Sequence, residues 1–69
     1  MLEPTLRGLM EDAGIRDIHI KHDDKGIVGS GEFRGTERQI RRRLGTELDV
    51  EGALETADGP TVVRCRPLR

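Results

Sequence analysis

The sequence predicts a two-layer α+β domain in the order αββαββ, and three observations predict it. Two segments repeat apolar residues at helical spacing, four others alternate apolar with polar residues, and turn-forming clusters separate them. The expected architecture packs both helices on one face of a three- to four-stranded sheet, antiparallel or mixed. A length of 69 residues leaves room for a single domain, residues 1–69.

The first helix is expected from the stripe Leu2, Leu6, Leu9, Met10 and Ala13, with Pro4 in its first turn and Gly14 at its end. Asp17-Ile18-His19-Ile20-Lys21 alternates as a half-buried strand does. Asp23-Asp24-Lys25-Gly26 is turn chemistry, so Ile27 to Phe33 should return as the second strand of a hairpin. That strand holds Gly29 and Gly31, which weaken a strand interior unless something comes close above them; a helix lying over both is the expectation.

Thr36-x-x-Gln39 has the form of a capping box, with Glu37 in the first turn. Ile40 and Leu44 give the second helix its apolar line, which Leu48 could extend, and Gly45 should stop it. Leu48, Val50 and Leu54 alternate with Asp49, Glu51 and Glu55 as a third strand. After the turn Ala57-Asp58-Gly59-Pro60, Thr61 to Arg66 forms a fourth, with Val63 and Cys65 inward and Arg64 and Arg66 outward. This last strand is expected at a sheet edge, where its unpaired backbone would be open to a second copy.

Composition narrows function by exclusion. Apolar residues are 33% of the chain and Phe33 is its one aromatic, so the core is thin and self-association would supply missing burial. Twelve basic and thirteen acidic residues give a charge of −1, hence no overall field toward nucleic acid or an anionic membrane. The balance is uneven: residues 1–33 carry four cations against seven anions, residues 34–69 eight against six. Cys65 stands alone, which excludes a disulfide framework and a thiolate metal site. No apolar run is long enough to span a bilayer, no signal peptide opens the chain, and Met1 fits a natural start, so cytoplasmic residence is expected.

Four patterns invite chemistry. His19 and His22 with Asp23 and Asp24 are metal-binding types, yet strand geometry sends positions 19 and 22 to opposite faces. Gly29-x-Gly31-x-x-x-Gly35 leads into a helix but misses the phosphate-loop spacings, and Glu37 would repel an anion. Cys65 between Arg64 and Arg66 reads as a buried hydrophobe whose neighbours project the other way. Arg38, Arg41, Arg42 and Arg43 are the densest charge feature. They form either a solvated helix face paired with Glu37 and Glu47, or a basic surface joined by Arg64, Arg66 and Arg69. No catalytic residue, cofactor or metal is expected.

Gly14-Ile15-Arg16-Asp17-Ile18-His19-Ile20, then Lys25 to Phe33, then Glu37-Arg38 resembles a BON-type module, related to the ring-building motifs of bacterial secretion systems. Gly29 departs from that pattern, which has a large aliphatic there, and the second stretch is one residue short. The resemblance spans residues 14–44 and implies a non-catalytic module that binds lipid surfaces or protein neighbours. Family members are usually periplasmic. Glu37 to Arg66 also resembles the later half of a KH domain, although Gly26-Ile27-Val28-Gly29 precedes the helix by about seven residues more than that family's glycine loop would. Together these readings favour a protein partner or a homo-oligomer, with a nucleic acid on the arginine helix as the alternative.

Overall fold

A computed structural model describes residues 1–45 and 47–68; Arg69 and Thr46 lie outside the described residues. The elements run α1 (Glu3–Asp12), β1 (Ile15–Asp23), β2 (Gly26–Phe33), α2 (Glu37–Leu44), β3 (Leu48–Leu54) and β4 (Thr61–Pro67), the order expected. Every strand pairing is antiparallel, and the sheet order is β1-β2-β4-β3.

That order corrects one expectation. β4 lies between β2 and β3 with both sides paired, so the segment Thr61–Arg66 is not an edge. The edges are β1 and β3, and each is interrupted by a bulge, a device that blunts edge-to-edge pairing. Pairing of all four strands in chain order would have kept β4 outermost. Instead the chain crosses from β2 through α2 to β3, and β4 folds back into the gap.

The core is one cluster. α1 supplies Leu6 and Met10, α2 supplies Ile40 and Leu44, and the strands supply Ile15, Phe33, Leu48, Val50, Val63 and Cys65. Leu2, placed on the α1 stripe by periodicity, is the N-cap residue and is 75% exposed. α2 forms as its sequence dictates: Thr36 accepts from the Gln39 N–H at 3.2 Å, and Gln39 accepts from the Thr36 N–H at 2.8 Å. Leu48 opens β3 rather than continuing the helix.

Gly29 and Gly31 of β2 are buried, as expected, but for two different reasons. A Cβ on Gly29 would meet Met10 Sδ at 2.5 Å and Leu6 Cδ2 at 3.4 Å, so α1 side chains lie over it. A Cβ on Gly31 would meet Ile15 Cγ2 at 2.5 Å and the Arg16 carbonyl at 2.8 Å. No helix covers Gly31; the β1 bulge does. Between Arg16 and His19 the strand carries an extra residue against β2, and Asp17 adopts a φ of +52° to make the bend.

The second bulge corrects the reading of β3. Val50 opposes Cys65 and Gly52 opposes Arg64, so Glu51 is the extra residue. From there the alternation shifts by one. Ala53 packs against the core and Leu54, expected inside, turns out to solvent at 66% exposure.

Candidate functional site

The six arginines singled out in the sequence do not form one surface. Arg64 and Arg66 leave β4 on the face opposite Val63 and Cys65, whereas Arg38, Arg41 and Arg42 sit on the exposed side of α2. Since Ile40 and Leu44 share the core with Val63 and Cys65, the sheet separates the two groups.

Arg43 belongs to neither. Its guanidinium donates to the Ala13 carbonyl at 3.2 Å and stands 5.4 Å from the centre of the Phe33 ring. It ties the end of α2 to the end of α1, answering a carbonyl that the helix leaves unpaired. On α2, Arg41 pairs with Glu37 at 2.8 Å, one turn back; Glu47, the other expected partner, makes no ion pair among the described residues. Arg38 and Arg42 make none there either.

The N-terminus of α2 is already occupied. The Glu37 N–H donates to Glu55 Oε1 at 2.7 Å, so a carboxylate of the same chain sits where a phosphate would bind. With the capping box, this accounts for the glycine-rich approach to α2 as backbone packing.

Arg66 spans the sheet's outer face. Its guanidinium donates to Glu51 on β3, reaches past the Ile27 carbonyl on β2, and donates to Asp23 on β1. Only 16% of its side chain is exposed. The hydrogen bond from Arg66, with that from the Lys25 N–H, holds the Asp23 carboxyl down at about 2; Arg66 likewise lowers Glu51. The pairs in turn raise the Arg66 pKa further. Glu51 also meets Arg64 at 3.4 Å. The β3 bulge turns Glu51 outward between the two arginines.

Beside this strap runs a shallow groove of about 310 Å³, lined in part by Lys21, Asp23, Val28, Ser30, Arg64 and Arg66. Register builds it: Lys21 opposes Val28, and Ser30 lies between His19 on one side and Arg64 on the other. Lys21, Ser30 and Glu51 were not singled out in the sequence, and Asp23 only as a member of the cluster with His19, His22 and Asp24. The two-residue hairpin turn fixes Asp23 opposite Gly26 and hence Lys21 beside Val28, a signal that was available. Nothing local announces that β4 arrives next to β2.

The other patterns stay apart. His22 Nε2 lies 2.8 Å from Glu3 Oε2 on α1, while His19 pairs across to Ser30 on the outer face. Among the described residues no three His, Cys, Asp or Glu side chains are grouped to hold a metal. Burial, with a lesser effect of Asp49, pushes the Cys65 thiol up to about 11, so it stays protonated at neutral pH despite its arginine neighbours. No helix among the described residues is long and apolar enough to cross a membrane. Comparison with known proteins brings no match: no family model, no curated protein and no solved structure aligns with the chain.

Proposed function

We propose that this domain is a non-catalytic binding and assembly module that docks protein neighbours, or copies of itself, through the outer face of its sheet. One observation carries the reading. Leu54 and Val62 oppose each other across β3 and β4 and are 66% and 45% exposed, an apolar pair on a face over which no described element lies. Val62 also opposes Glu32, which opposes Arg16, so both charge signs border the pair. Interleaved charge suits another protein surface; a polyanion would meet Glu32 and Asp23 along with the cations. The bulged edges make strand addition a poor route, which leaves the face. A cytoplasmic setting and the absence of catalysis belong to the same proposal; the second is supported by a thiol too buried and too weakly acidic to attack a substrate.

Sedimentation of the unmodified chain and of the Leu54→Lys/Val62→Lys pair is the test. Burying two aliphatic side chains is worth enough that removing them should weaken association by at least about tenfold. Association unchanged by the double substitution would overturn the assignment of this face. A pure monomer at high micromolar concentration would leave only a different protein as partner.

The exposed side of α2 supports a second reading. Arg38 and Arg42 lack an ion-pair partner among the described residues, and they could contact phosphates of a nucleic acid. Gel-shift titration in low salt separates the two. No shift is expected at ~50 µM protein, where even non-specific binders are retained. A shift whose salt dependence becomes shallower in Arg38→Ala/Arg42→Ala would favour the nucleic acid.

A further inference from the structure

The groove on the outer face has an unbalanced charge that the Arg66 strap does not absorb. Arg66 already satisfies Asp23 and Glu51 together. Among the described residues Arg64, whose side chain is 61% exposed, makes one ion pair, with Glu51 at 3.4 Å, and Lys21 makes none. These two cations flank β2 from opposite sides, Lys21 beside Val28 and Arg64 beside Ser30, so their backbones stand two strand spacings apart across the sheet and two residues apart along it, ~12 Å. Both side chains are long enough to close over the middle of that gap. There the floor is Ser30, whose hydroxyl can donate, beside the methyls of Val28.

We propose that this groove is an anion site for a phosphoryl group, carried by free phosphate or by a phosphorylated side chain. Lys21 and Arg64, lining the groove from opposite sides, can both turn to the −1.5 to −2 charge of a phosphate at neutral pH, and the Ser30 hydroxyl adds a third donor direction. A carboxylate offers one charge and fewer acceptor directions. The strap is what makes the site selective. By holding both neighbouring carboxylates in hydrogen bonds and offsetting one of their two charges, Arg66 leaves the groove a net positive charge, and Glu51 competes for Arg64 only through one long contact. The site goes beyond the assembly reading and does not depend on it, because anion binding is measurable on the monomer.

The test is amide chemical-shift titration of the full chain with inorganic phosphate, with a phosphoserine peptide, and with acetate, all at matched ionic strength. Saturable shifts at Lys21, Ser30 and Arg64 are expected with phosphate, at a Kd of about 1 mM. Lys21→Gln and Arg64→Gln should each weaken it about tenfold, whereas Arg34→Gln, on the exposed loop before α2, should not. Tighter binding of the phosphoserine peptide would assign the phosphorylated side chain as ligand; equal or weaker binding would assign free phosphate. Shifts of equal size with acetate, shifts that never saturate, or a Kd unchanged in both glutamine variants would overturn the site.

Discussion

The two faces of the sheet are organised by opposite means. The inner face is held by close approach: Gly29 under Met10, and Gly31 under the bulge of β1, leave no space for a methyl group. The outer face is held by charge, with Arg66 stretched from Glu51 across β2 to Asp23. An inner contact fails when one atom is added; an outer one fails when one charge is removed or neutralised. The difference explains how a chain with a thin core keeps four strands in register, and why its free surface lies where packing is loosest.

The largest effect should come from the inner face, and it should differ between the two glycines. Gly31→Ala places its methyl against backbone at 2.8 Å, which cannot swing away. It should cost about 3 kcal/mol, the upper part of the range for overpacking. Gly29→Ala meets mainly Met10, a flexible side chain, and should cost about 1 kcal/mol. Urea unfolding of the two variants checks the ranking. Equal midpoints would mean that the β1 bulge yields as easily as a methionine does.

A smaller effect, present at neutral pH and lost in acid, belongs to the strap. Asp23 and Glu51 titrate lower in the folded chain than in the unfolded one, so their pairs with Arg66 stabilise the fold above the ordinary carboxylate range. That contribution drains away as the pH falls from about 5 toward 2. Arg66→Met should lower the melting temperature at pH 7 and flatten its decline in that window. Parallel melting curves against pH for the two proteins would show that the strap does not couple to folding.

The smallest effect is expected at Leu54. A residue that exposed should tolerate Leu54→Thr within about 0.5 kcal/mol, whereas Val50→Thr on the same strand, 5% exposed, should cost well above that. Similar losses at both positions would return Leu54 to the core, where simple alternation puts it.

What local chemistry could dictate, the sequence determined. The capping box of α2, the hairpin turn at Asp24-Lys25 and the six elements in their order all follow from residues within a few positions of one another. The inward Val63 and Cys65 and the outward Arg64 follow as well, because a strand alternates. The tertiary structure decided whatever needed two distant segments at once. β4 enters the sheet beside β2 rather than at an edge, and that placement brings Arg66 within reach of Asp23, 43 residues away. Each bulge adds one residue to a strand, a change that leaves composition and turn signals untouched yet moves Leu54 out and sets Arg16 above Gly31. Side-chain period is local, whereas register and charge pairing depend on which strand becomes the neighbour, and only packing of the whole chain selects that.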